Sequence, residues 1–399
     1  MSLKRLRNKK QLEPIIERKM DLWDYMEKVK DVVKEIRLNG MEALSKYVKK
    51  FDNYDGEKLI LEKNELQRNV DEELVNVFQE VLDQLEAFNR SVLPPNSSIR
   101  SNGIAGEILW FPIKRLGVYS PGGIFPYPST ILMTAGLAKR LGVREVIVST
   151  PPKAAFNPAV RAALVASDVD EVILAGGAHG IAALAYVAKV HKIVGPGGPY
   201  VQAGKVLVSV DVPIDMIAGP TELVVIADET ANPKEVAYDM MAQAEHGPLS
   251  FALLLTTSTE LEEKVSDLVS DFEHDNLYSY VVRNISEAIE ITNEIAPEHV
   301  SSFVDSFELP ISGAISIKTP SPLIDYSAGP NHVLPTSKWA RARGPLSPLD
   351  FYRWMAIVKS YPESIKLIEL AIKIAELEGM KYHAEALRVK LESLKHHDG

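Results

Sequence analysis

The chain has 399 residues, 46% hydrophobic and 25% charged, which is a soluble globular balance and too long for one ordinary core. A formal net charge of −10 argues against a nucleic-acid protein, whose phosphate contacts need a basic face. With no cysteine, a Cys-rich structural zinc site is excluded, and any zinc must take nitrogen and oxygen ligands.

The basic cluster Lys4, Arg5, Arg7, Lys9 and Lys10 reads as a short solvated end and not as a targeting signal, because no apolar stretch follows it. No run of about 18 uncharged apolar residues occurs, so the expected location is cytoplasmic. Charged sequence of helical period fills 22–48 and 65–93, and VLPPNSS from Val92 punctuates its end. From Gly117 the character changes. Short β-branched runs at 145–150, 171–175, 192–194 and 222–227 alternate with helical stretches at 129–141, 157–167, 179–189 and 200–208. Strand, glycine-rich turn and helix in repetition predict an α/β fold with a doubly wound parallel sheet. Two more helices and further strands follow, then a long helical tail over 361–395.

Four glycine turns stand at the expected strand ends: YSPGG from Tyr119, AGGAHG from Ala175, GPGGPY from Gly195 and AGPTE from Ala218. Such turns let backbone approach a ligand, but tight βα connections need them equally. None has G-x-G-x-x-G spacing, and no acidic ribose partner follows at the usual distance, so spacing alone does not define a dinucleotide site.

The segment NPKEVAYDMMAQAEHG predicts a helix capped by Asn232 and ended by Gly247. Gln243 and His246 are three apart, so they share a helical face on which a metal can be held, while Glu245 points elsewhere. An ordinary helix end with a dipole-favoured histidine fits the same residues. In IAPEHV, Pro297 is expected to open a helical turn with Glu298 and His299 at its N-terminus. That dipole would keep His299 neutral and able to accept a proton, although a surface Glu-His pair is the simpler reading of the dipeptide alone. In DYSAGPNHVLPT, Asp325 suits either an oxygen ligand or a turn cap, with His332 behind it. Glu378 and His383 flank Gly379 in the tail, and His396 and His397 read as exposed terminal residues.

Taken together, these segments resemble the histidinol dehydrogenase family. AQAEHG, APEHV and DYSAGPNHVLPT occur in the family's order, and the match runs from GMEALSKYVKKFDNYDG at Gly40 to the tail around His383. The resemblance implies two Rossmann-like doubly wound parallel-sheet domains with helical N- and C-terminal extensions. Its parts would be an extension over 1–20, a discontinuous domain over 21–118 and 223–345 with the metal and catalytic residues, a cofactor-side domain over 119–222, and a dimer-swapped tail over 346–399.

Carried onto this sequence, the resemblance implies zinc ligands at Gln243, His246 and Asp325, with a fourth from His383 of the partner subunit, hence a homodimer with composite active sites. Glu298 and His299 fall on the catalytic pair. Thr221 and Glu378 fall on substrate contacts, the latter at the ammonium or carboxylate end; Gln243, His246, His299, Asp325 and His383 also face substrate. Tyr119, His179 and Gly198 fall on the NAD side. The implied reaction is the zinc-dependent oxidation of L-histidinol, through L-histidinal, to L-histidine with two NAD. His299 would be the base in both oxidations, and Glu298 would activate the water that hydrates the aldehyde.

The chain departs from the family on the cofactor side. His179 and Gly180 stand in a turn that usually reads GGAQA, Gly198 stands where GPGN has asparagine, and Phe251 follows Ser250 in place of glutamine. The sequence therefore leaves NAD against NADP open. Two other readings also fit: a related zinc and NAD dehydrogenase acting on another small alcohol, and a non-enzymatic binder of zinc or imidazole ligands.

Overall fold

The computed structural model describes residues 3–123, 125–304 and 308–395; His396 and His397 lie outside them. The chain divides into two units. The first contains the described residues up to Val92 with Ile113–Phe351, and the second contains Leu93–Pro112 with the described residues from Tyr352 onward.

The first unit is built on two sheets. In the five-stranded sheet the order is Ile60–Glu62, Glu171–Leu174, Glu145–Thr150, Arg115–Tyr119 and Lys192–Val194. The last four are parallel, and only the edge strand Ile60–Glu62 runs antiparallel. The parallel strands start at Arg115–Tyr119, move outward through Glu145–Thr150 and Glu171–Leu174, then cross back to the other side. This reversal makes the sheet doubly wound. Val146, Val148, Val172 and Ile173 are fully shielded from solvent, as strands covered on both faces require.

The six-stranded sheet is parallel throughout, in the order Lys4–Leu6, Leu277–Val281, Phe251–Thr256, Glu222–Ala227, His299–Ser302 and Ala314–Ile317. It is wound both ways from Glu222–Ala227. The period of two sorts its core: Leu223, Val225, Ala252 and Leu254 pack with the helices Pro233–Ala244 and Thr259–Leu268, whereas Val224, Ile226, Leu253 and Leu255 pack with Lys9–Ile16 and Ile285–Ile295. The α/β fold with two doubly wound parallel sheets is thus the fold the sequence predicts.

Its partition along the chain differs from the one expected. The helices Trp23–Asn39 and Met41–Phe51 join the five-stranded sheet, because the stripe Val29, Val32, Val33 and Ile36 buries against the alanine-rich helices that flank it. Residues 115–118, expected in the metal-side domain, form with Tyr119 an interior strand of the same sheet. The first twenty residues are no free extension either. Lys4–Leu6 is an edge strand, Leu12 and Ile15 are buried, and Arg5, Arg7 and Lys9 lie 3.9 Å from the buried carboxylates of Glu262 and Glu287.

The second unit is not all helical. Tyr352–Ser360 pairs antiparallel with Ile104–Pro112, which pairs with Ser97–Ser101. The helices Ile365–Leu377 and Lys381–Lys395 follow, separated at Gly379, where φ is +71°. Among the described residues no helix is long and apolar enough to cross a membrane.

Candidate active site

A cleft of about 610 Å³ opens in the first unit, lined from both sheets. Five of the expected residues line it on the side of the six-stranded sheet, Thr221, His246, Glu298, His299 and Asp325, and a sixth, Gln243, is buried behind Asp325.

Asn232 caps the helix Pro233–Ala244 by accepting the backbone N–H of Lys234 at 3.0 Å, and Pro233 occupies the first position, where no amide partner is needed. The helix stops at Ala244 with Glu245 as its C-cap, so His246 lies just beyond the helical face it was expected to share with Gln243. The two nonetheless converge on Asp325. Gln243 Nε2 donates to Asp325 Oδ2 at 2.7 Å and to Ser321 Oγ at 2.9 Å. Gln243 Oε1 is buried and has no hydrogen-bond partner among the described residues. His246 Nδ1 stands 3.1 Å from Thr221 Oγ1, and burial pulls its pKa down despite the nearby Asp325 carboxylate.

The expected helical turn at Pro297 is absent. Ile285–Ile295 ends with Ala296 in the left-handed conformation at φ 46°, and His299 opens the strand His299–Ser302, paired with Leu223. His299 thus opens a strand and not a helix, and the electrostatics invert. Burial disfavours its cation, but Asp325, with Oδ1 at 3.4 Å from Nε2, and then Glu298 and Asp239, outweigh that and raise His299 to about 8. Its Nδ1 is buried without a partner among the described residues. Asp325 responds in the opposite sense. Burial raises it, but His299, His332 and the Gln243 amide hold it at about 2.

Glu298 is pushed up to about 8 by burial, with Glu222 and Asp325 adding to the rise and His299 opposing it; its Oε2 accepts the backbone N–H of Glu222 at 3.1 Å. His332 Nδ1 is 2.9 Å from the Asp325 carbonyl. A carbonyl only accepts, so Nδ1 carries the proton and Nε2 is left to accept from Thr130 Oγ1 at 3.3 Å.

Two buried acids join this group that the sequence motifs do not single out. Asp239, one helical turn before Gln243, accepts both the N–H and the hydroxyl of Ser321, at 2.8 and 2.7 Å, and so fixes the start of Pro322–Tyr326. Its i, i+4 spacing to Gln243 was the available signal. Glu222, two residues after Pro220, reads in the sequence as no more than a strand start, yet burial lifts it from 4.5 to about 7. The folded protein therefore holds a proton that the unfolded chain releases, and stability falls as pH rises from about 5 through 7. Glu222→Gln is expected to flatten the fall of melting temperature with pH across that window; an unchanged slope would refute the assignment.

On the other wall, the cofactor-side expectations separate. Tyr119 is buried, its hydroxyl accepting the Gly177 N–H at 2.8 Å, and burial raises its pKa. Gly198 lines the cleft with open space about it. His179 is buried under the turn and is not among the lining residues; its Nε2 donates to Asp52 Oδ2 at 2.7 Å. Gly195, at φ +121°, lies against the Tyr119 carbonyl where any side chain would collide. Glu378 and His383 belong to the second unit, where both are exposed.

Among the described residues no three His, Asp or Glu side chains form a metal-binding group. Within one chain the expected set draws only His246 and Asp325 from those types, together with the Gln243 amide; its other histidine, His383, was expected from the partner subunit. The donors still suit a zinc ion: a carboxylate held ionised, an imidazole whose Nδ1 is engaged at Thr221, and the orphaned Gln243 Oε1.

Comparison with known proteins places this fold and site in a family of dehydrogenases. A profile of the histidinol dehydrogenase family matches residues 16–391. The histidinol dehydrogenase of Sulfolobus acidocaldarius is 41% identical over 375 residues, 91% of this chain and 95% of that protein. That of Bacillus cereus is 36% identical over 400 residues, 92% of each. The crystal structure of histidinol dehydrogenase from Elizabethkingia anophelis superposes with a TM-score of 0.88, at 28% identity and covering 99% of each chain. The chain belongs to the histidinol dehydrogenase family.

Proposed function

We propose that the protein oxidises L-histidinol to L-histidine, through L-histidinal, in two NAD-linked steps that depend on zinc. The observation that carries this reading is the buried group in which His299 lies between Asp325 and Glu298, beside a glutamine oxygen with no partner among the described residues. Gln243 Oε1, His246 and Asp325 would hold the metal, with His383 of the partner subunit as the fourth ligand. When bound, zinc orients the amino alcohol and NAD takes up hydride in each half-reaction.

The chain's own groups manage protons. A primary alcohol does not ionise unaided near neutrality, so His299 in its neutral form takes the hydroxyl proton as hydride leaves carbon. Glu298 then takes a proton from the water that adds to the aldehyde while His299 returns its proton to the carbonyl oxygen, and His299, neutral again, takes the hydrate's proton in the second oxidation. A carboxyl lifted to about 8 is a far better base than an ordinary one, though it is mostly protonated near neutrality. Burial of the pair keeps the aldehyde from bulk water. Thr221 steadies the His246 ring.

A homodimer with composite sites completes the reading. The second unit, which carries His383, leaves Trp354, Val358, Leu377 and Tyr382 well exposed, a surface suited to burial against another chain. Glu378 of the partner subunit would meet the charged end of the substrate.

Zinc-loaded protein is expected to form two NADH per L-histidinol, and chelation to abolish both. No reduction by protein that carries one zinc per subunit would sink the substrate assignment.

A further inference from the structure

Four βα junctions stand in a row along the carboxyl edge of the five-stranded sheet, following Glu171–Leu174, Glu145–Thr150, Arg115–Tyr119 and Lys192–Val194. The winding reverses between the last two. In open α/β sheets a dinucleotide crosses the edge at such a reversal, and an acidic side chain toward the outward-wound strands takes the ribose hydroxyls. No acid follows the glycine turns at the usual distance, but one arrives from earlier in the chain.

Asp52, the C-cap of Met41–Phe51, reaches the end of Glu171–Leu174 and lines the cleft. Its Oδ2 accepts the Gly176 N–H at 3.1 Å and the His179 Nε2–H at 2.7 Å. Oδ1 has no hydrogen bond among the described residues. A methyl group on Gly176 would come within 2.8 Å of that Oδ1 and 2.9 Å of Pro151, so the carboxylate is pressed against the turn and the neighbouring junction. His179, whose ring centroid is 5.7 Å from that of Phe51, holds the acid from behind. Among the described residues lining the cleft there is no lysine or arginine to receive an extra phosphate.

We propose that Asp52, fixed by His179, accepts the adenosine ribose hydroxyls of the cofactor and selects a dinucleotide without a 2′-phosphate. His179 is then a positioning residue and makes no cofactor contact of its own. The inference rests on the NAD-linked reading above and narrows it.

Calorimetric titration of the zinc-loaded protein with NADH and with NADPH tests it. The wild type is expected to bind NADH at least about tenfold more tightly, since two charge-assisted hydrogen bonds and a repelled phosphate separate the ligands. Asp52→Asn is expected to weaken NADH by about tenfold and bring the NADH-to-NADPH ratio toward one, with KM for L-histidinol unchanged. His179→Gln should lower the ratio by a smaller factor. Equal binding of the two cofactors by the wild type would overturn the proposal, as would an Asp52→Asn protein of normal melting temperature with an unchanged ratio. Binding of neither cofactor by the wild type would instead remove the NAD-linked reading itself, and the proposal with it.

Discussion

His299→Asn is expected to slow both oxidations by about 10²–10⁴-fold, whereas Glu298→Gln is expected to slow only the second by that factor. The asymmetry follows from the role proposed for each group. As proposed, His299 takes a proton from an alcohol in the first step and from a hydrate in the second, so its loss would strike both. Glu298 would be needed only where water adds to the aldehyde. Glutamine at 298 keeps an oxygen to accept the Glu222 N–H, which the carboxylate now receives at 3.1 Å, so the wall should stay in place. Being neutral, it also avoids the burial cost that lifts the carboxyl to about 8. Rapid-mixing kinetics separate the steps. With L-histidinol, the Glu298→Gln protein should release one NADH per site in a fast phase and the second very slowly; with L-histidinal it should be slow from the start. A first NADH phase slowed as much as the second, or L-histidinal oxidised at the wild-type rate, would remove Glu298 from the hydration step.

Local signals made the sheets legible, and contacts distant in sequence hid the rest. In the five-stranded sheet the strands Glu171–Leu174 and Lys192–Val194 announced themselves by a β-branched run and a glycine turn, Glu145–Thr150 by a β-branched run ended by prolines, and the cap at Asn232 was readable from Asn-Pro alone. The strand at His299 was not. Its Pro-Glu-His start looks like a helix entry, and only pairing with Leu223 in the middle of the sheet makes it extended. That one difference moved the explanation of His299 from a helix dipole to the Asp325 carboxylate. Tyr352–Ser360 was hidden in the same way, because its partner Ile104–Pro112 lies far upstream. The motifs located Gln243, His246 and Asp325, but not Asp239 and Ser321, which hold Asp325's helix in place. Nor could sequence show that His179 turns away from the cleft, since Asp52 stands 127 positions earlier.

Lys205→Met is expected to destabilise the protein by about 3–5 kcal/mol, the cost of leaving one member of a buried ion pair alone. Lys205 and Asp215 are both fully shielded from solvent and form an ion pair. Together they grip one residue: Lys205 Nζ donates to the Gly195 carbonyl at 2.9 Å, and Asp215 Oδ2 accepts the Gly195 N–H at 2.8 Å. Gly195 begins the turn whose residues 196–198 line the cleft, and Gln202 braces the same turn by donating to the Gly197 carbonyl at 3.1 Å. Methionine matches the length of lysine and leaves little void, so the loss should come from the stranded carboxylate. Adding Asp215→Asn removes that charge while keeping an acceptor for Gly195, and should restore about half of the lost stability. Thermal melts of the two single variants and the double variant measure the coupling. If the effects simply add, the pair is not acting as a unit; if the double variant recovers stability but its KM for NAD is raised above that of the wild type, the ion pair's second role is to set the turn proposed to face the cofactor.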